Sequence, residues 1–222
     1  MSEQVHIIIV NWNGREFLED CLQSLRAQTY RSFSVTLVDN GSTDDSPAFV
    51  SVRFPEVRLI ALRENLGFAA ANNRALADVT APYAALLNND ATADPGWLKA
   101  LVEALEEAKE AGFAASRMLA FDRPDVIDRC GDGYSRAGAA LLRGRGEPAG
   151  RHSRRERVFG ACAGAALYRT AMLKDVGLFD EDFFLLYEDV DLSFRAQLKG
   201  YQCLYVPEAV VYHKGSASLV HD

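Results

Sequence analysis

The chain has 222 residues, 49% of them apolar and 25% charged, the balance of a folded globular protein and not of a largely disordered one. A net charge of −7, from 31 acids against 24 bases, argues against a duplex nucleic-acid partner. No apolar run approaches the ~18 residues of a membrane helix, and Met1 to Gln4 lacks the basic start of a signal peptide. The expected location is therefore cytoplasmic, with a peripheral place on the inner membrane face left open. Cys21, Cys130, Cys162 and Cys203 have neither zinc-knuckle nor redox-motif spacing and read as reduced, buried thiols.

In chain order, Val5–Val10 is a β-branched apolar run that reads as a buried strand. Asn13-Gly14 is a turn signal, and Phe17, Leu18, Cys21, Leu22 and Leu25 then recur at helical spacing. Phe33–Val38 reads as a second strand running into the polar turn Asp39–Asp44. Ser46-Pro47 has the form of an N-cap and first helical residue. Val57–Leu62 is a third strand, Phe68–Val79 a helix of small residues, and Tyr83–Leu87 a fourth strand ending at Asn88-Asn89-Asp90. Asp94-Pro95 opens another helix, with Trp97, Leu98, Leu101, Val102 and Leu105 on its apolar side.

This alternation predicts a parallel sheet with helices on both faces. Polar clusters follow the strands at 10–13, 39–44 and 88–90, and open α/β sheets bind ligands beyond the carboxyl ends of their strands. The second half differs. Residues 131–157 are rich in Gly and Arg, with Arg143, Arg145, Arg151, Arg154, Arg155 and Arg157, and read as a mobile basic loop. Glu188–Lys199 reads as a helix ended by Gly200. Tyr201–Val206 and Ala209–Tyr212 read as two short strands split by Pro207.

Several of these residues carry chemistry. Asp39, at a strand end, suits a nucleobase N–H or a ribose hydroxyl, although an Asx turn would look the same. Asp90 suits a divalent cation, and Asn88 and Asn89 suit phosphate or sugar oxygens. Glu188 and Asp189 follow the bulky run Phe183–Tyr187. Partial desolvation there could leave a carboxylate basic enough for general-base work, with helix capping by acids as the plain alternative. His213 ends a strand-like run and taken alone is most simply a surface residue.

Together these segments resemble the family-2 glycosyltransferases of the GT-A fold, and within them rhamnosyltransferase-like enzymes of bacterial cell-surface polysaccharide assembly. The likeness runs through Val5–Gly14, Val38–Asp44, Asn65–Asn72, Leu86–Ala91, Gly177–Arg195 and Pro207–His213, in the expected order. It implies an α/β GT-A domain over residues 1–222, with a mostly parallel, Rossmann-like sheet. Residues 1–115 would form the nucleotide-sugar half and 116–222 the acceptor half.

The resemblance also assigns roles. Val10 and Asn11 would border the nucleotide and Asp39 would contact its base, while Asn65, Gly67 and Asn72 would line the donor pocket together with Asn88 and Asn89. Asp90 would be the last carboxylate of the DxD metal motif and His213 would complete the coordination of Mn²⁺ or Mg²⁺. Asp189 would be the acceptor-activating base, with Glu188 as the alternative. The implied activity is inverting transfer from a nucleoside-diphosphate sugar to a saccharide or polyprenyl-diphosphate-linked saccharide. The basic 131–157 segment would cover the donor or receive an anionic acceptor. One departure stands out: the first DxD carboxylate is an amide here, Asn88. That favours, as an alternative, a non-catalytic nucleotide-sugar-binding module.

Overall fold

The computed structural model describes residues 3–215. The first half runs β1 (Val5–Asn11), α1 (Arg15–Arg26), β2 (Phe33–Asp39), α2 (Ser46–Arg53), β3 (Arg58–Ala61), α3 (Gly67–Leu76), β4 (Tyr83–Leu87), β5 (Ala91–Ala93) and α4 (Trp97–Glu107). The second half runs β6 (Ala111–Ala120), β7 (Arg123–Cys130), β8 (Asp132–Tyr134), β9 (Ala140–Leu142), β10 (Glu156–Val158), β11 (Ala165–Arg169), α5 (Thr170–Val176), α6 (Glu188–Leu198) and β12 (Gln202–His213).

The main sheet has the order β10-β12-β6-β11-β4-β1-β2-β3, with β5 on β12 and β7 on β6. Its β4-β1-β2-β3 half is parallel, as strand–helix alternation demands. β11 enters antiparallel between β4 and β6, so the complete sheet is mixed. No strand–helix alternation marks β6 or β11. They lie in alanine-rich sequence, and only their pairing with β4 and β12 makes them strands.

Alternation along β1 divides the core. Ile7 and Ile9 face one side, with Leu18, Leu22 and Leu25 of α1 and Trp97, Leu98, Leu101 and Leu105 of α4. Ile8 faces the other, with Ala69, Ala71 and Ala75 of α3 and Leu192 and Ala196 of α6. The small residues of α3 let that helix lie close over the sheet. Trp97 is fully buried, and its indole N–H donates to Ser116 Oγ at 2.8 Å, which satisfies the polar edge of a large apolar ring. The cysteines are all free, and burial pushes the Cys130 thiol up to about 11.

Three local expectations change. Residues 131–157 are not an unpacked loop: β8 and β9 form a hairpin and β10 joins the main sheet. Arg143 pairs with Glu156, Arg155 with Glu107 and Glu208, and Arg157 with Glu110, so half of the expected basic patch is neutralised. The glycines mark tight turns instead. Gly144 has φ +75°, and a Cβ there would stand 2.4 Å from Cys130 Sγ.

Residues 202–213 form one strand. Pro207 sits inside a register shift between Val206 and Val210, where the ladder needs no donor from it. At α2, Asp45 rather than Ser46 occupies the cap position, and Asp44 Oδ1 accepts the Ser46 N–H at 3.0 Å. Met1, Ser2 and residues 216–222 lie outside the described residues.

Candidate active site

A cleft of about 890 Å³ opens beyond the carboxyl ends of the parallel strands. Its walls come from the end of β1, the segment before α3, the turn after β4, the β7–β9 region and the start of α6.

Amides and a carboxylate meet at the ends of β1 and β2. Asn11 and Asp39 are register partners, and Asn11 Nδ2 donates to Asp39 Oδ1 at 3.2 Å. The Ser42 N–H donates to Asp39 Oδ2 at 3.1 Å, so the buried carboxylate is oriented through both oxygens. Asn89 Nδ2 donates to Asn11 Oδ1 at 2.8 Å, which joins the turn after β4 to the end of β1. Val10, Asn65, Gly67, Asn88, Asn89 and Asp90 line the cleft, whereas Asn11 and Asp39 are buried and do not; Asn11 reaches it only through its bond to Asn89. Asn72 does not reach it: its amide donates to Phe68 O within α3. Asn40, read from sequence only as part of a turn, lines the cleft and donates to Asn65 Oδ1 at 2.7 Å.

The β5–β12 pairing sets His213 opposite Ala91, and thereby beside Asp90. His213 Nε2 lies 3.2 Å from Asp90 Oδ1 and 3.3 Å from Asn88 Nδ2. On its far side Nδ1 lies 2.8 Å from Asp128 Oδ2. Burial alone would lower the His213 pKa, but hydrogen bonds to Asp128 and Asp90 outweigh it and hold the imidazole up to about 9. Asp128, on β7, carries no sequence signal of this role.

Glu188 and Asp189 open α6, directly after Leu186 and Tyr187. Those two non-glycine residues both take left-handed conformations, at φ +72° and +69°. This strained entry is held by Gly67 at φ +84°, where the Phe68 N–H donates to Phe184 O at 2.7 Å. Asp189 Oδ2 accepts the Ala163 N–H at 3.1 Å and Oδ1 accepts its neighbour's N–H, from Val190, at 2.8 Å. Burial, and next the Asp189 charge, pushes the Glu188 carboxyl up to about 7. Asp132 and Arg129 share this wall, and Asp132 is likewise pushed up to about 7 by burial first and Asp189 second.

The geometry therefore sets an amide-rich floor, a carboxylate–imidazole pair and an acid cluster around one cleft. A carboxylate and an imidazole converging at 3.2 Å form a mixed oxygen and nitrogen donor set suited to Mn²⁺ or Mg²⁺. Among the described residues no group of three or more His, Cys, Asp or Glu side chains is placed to hold a metal ion.

The sequence model described as "Glycosyl transferase family 2" matches residues 6–177. The chain is 32% identical to an N-acetylglucosaminyl-diphospho-decaprenol L-rhamnosyltransferase of Mycobacterium tuberculosis (strain CDC 1551 / Oshkosh), an alignment covering all of this chain and 80% of that protein. Among solved structures it is similar to S. aureus TarS 1-349, with TM-score 0.73 and 19% identity over 96% of this chain and 61% of that one. It is also similar to the mannosyltransferase PcManGT from Pyrobaculum calidifontis in complex with GDP-Man and Mn²⁺, with TM-score 0.71, 18% identity, and coverage of 96% and 57%. At these identities the two structures establish the shared GT-A fold. The chain spans less than two thirds of each of them.

Proposed function

The chain belongs to glycosyl transferase family 2 and is a glycosyltransferase, and on that premise we propose that it catalyses inverting sugar transfer in cell-surface polysaccharide synthesis. The donor is a nucleoside-diphosphate sugar; the relative's name favours L-rhamnose as the sugar, and dTDP-rhamnose is the form proposed. The acceptor is a saccharide hydroxyl on a polyprenyl-diphosphate-linked sugar. The observation that carries this reading is the joint lining of one cleft by Asp90, His213, Glu188 and Asp189.

In this reading residues 1–115 bind the nucleotide and residues 116–222 the acceptor, within a single domain. Asp39, fixed by Asn11 and Ser42, takes the base, while Asn65, Gly67, Asn88 and Asn89 border the diphosphate and sugar. Asp90 and His213 would hold the divalent cation, which when bound neutralises charge on the diphosphate leaving group. Asp189 takes the proton from the acceptor hydroxyl. Its two amide hydrogen bonds orient the carboxylate, and Glu188 is the neighbouring alternative. The protein is active beside the membrane that carries its acceptor. No described helix is long and apolar enough to cross one.

Calorimetric titration with dTDP, UDP and GDP and their sugars, each with Mn²⁺ and with EDTA, tests the donor half. One nucleotide is expected to bind, and only with the metal. Folded protein that binds none of them sinks the reading. A second reading, a module that binds a nucleotide sugar without transfer, draws on Asn88 in place of a carboxylate. It predicts binding with no product on an N-acetylglucosaminyl diphospholipid.

A further inference from the structure

We propose that Asp132 is a sugar-binding residue of the cleft, its carboxylate accepting hydrogen bonds from neighbouring hydroxyls of a saccharide held beside Asp189. This rests on the glycosyl-transfer reading and adds a residue which that reading leaves unused.

Asp132 begins β8, and its backbone is fixed on both sides. Its N–H donates to Gly160 O at 2.8 Å and the Gly160 N–H donates back at 3.2 Å. Gly131 before it is left-handed at φ +78° and packed on Val158. The side chain is 4% exposed and lines the cleft with Glu188 and Asp189. Neither carboxyl oxygen has a hydrogen-bond partner. Arg129 faces it, with Nη1 3.5 Å from Oδ1.

Among the described residues, both carboxyl oxygens of Asp132 are buried without a hydrogen-bond partner, and so is Oε2 of the neighbouring Glu188. Asp39 and Asp189 accept amide hydrogen bonds through both oxygens, and Asp128 accepts from His213. A buried carboxylate without such partners costs stability, so a purely structural residue here would be bonded or apolar. A buried acceptor left without partners beside a ligand cleft is instead completed by a ligand that enters it. The donors it needs are O–H or N–H groups, two of them close together. Adjacent hydroxyls of a sugar ring supply that pair, and Arg129 adds a donor for a further sugar oxygen.

The hydroxyls can belong to the donor sugar or to the acceptor sugar, and one variant separates them. Asp132→Asn keeps the volume and removes a buried charge, so it should fold. Wild type and variant are titrated, with Mn²⁺, with bare nucleoside diphosphates and with the matching nucleotide sugars, and the KM of an N-acetylglucosaminyl diphospholipid is measured in transfer. If the donor sugar is held, affinity for the nucleotide sugar falls about 10–100-fold while that for the bare nucleotide is unchanged. If the acceptor is held, both affinities are unchanged and the acceptor KM rises by about the same factor. Unchanged values throughout, with wild type binding and transferring normally, overturn the assignment alone. Wild type that binds no nucleotide overturns the transfer reading, and the assignment falls with it.

Discussion

His213 stands between two carboxylates, with Nδ1 2.8 Å from Asp128 Oδ2 and Nε2 3.2 Å from Asp90 Oδ1. Asp128 thus fixes the ring from behind and aims Nε2 into the cleft. Carboxylates that orient a ligating histidine in this way are commonly worth 10–100-fold in metal affinity. Asp128→Ala is therefore expected to weaken Mn²⁺-dependent nucleotide binding by about 10–100-fold in calorimetry. Asp128→Asn, which keeps an acceptor for Nδ1–H, should lose less. Equal, unchanged affinities in both variants would remove Asp128 from the site.

Asp189→Asn should lower the transfer rate by about 10²–10⁴-fold while nucleotide-sugar affinity survives, because a positioned base acts on the acceptor proton and not on donor binding. Glu188→Gln distinguishes the neighbour. If it carries the larger rate loss, the base is Glu188. Loss of donor affinity in Asp189→Asn would move that residue to the donor side.

Gly67→Ala places a Cβ 2.4 Å from Phe184 O, at a φ of +84°. Strain of this kind costs about 1–3 kcal/mol. The melting temperature should fall, and nucleotide binding should weaken as the Phe184–Tyr187 segment is pushed away from α3. An unchanged melting temperature would show that this segment yields freely.

Asp132 makes stability depend on pH in a definite direction. Its folded-state pKa, about 7, is above the usual carboxylate value near 4. Between those values the folded form holds a proton that the unfolded chain has released, so stability falls as pH rises from ~4 to ~7. Asp132→Asn should match wild type near pH 4 and exceed it at pH 8, by on the order of 2–4 kcal/mol. Urea unfolding at both pH values checks this. An advantage of equal size at both would assign the gain to something other than the charge.

The parallel half was legible because local pattern decides it. The apolar runs at β1, β2 and β4, and the helical spacing of Leu18, Leu22 and Leu25, specify strand–helix alternation without reference to anything distant. Alternation then places Asp39 and Asn88–Asp90 at strand ends. The same local logic misread residues 131–157. Glycine marks a turn in sequence whether or not the flanking residues pair, and here β8 and β9 do pair.

The layered α/β architecture, the family and the main polar clusters were readable along the chain, because they depend on near neighbours. Which of those clusters meet follows from long-range strand pairing. His213 reaches Asp90, 123 positions earlier, because β12 pairs with β5, and Asp128 reaches His213 because β7 pairs with β6, itself beside β12. Asn72, in a promising motif, turns inward to Phe68 O. Asp132 has no motif at all, and what distinguishes it is burial without hydrogen-bond partners. Contacts of this kind depend on strand register, which long-range packing selects and no short stretch of sequence records.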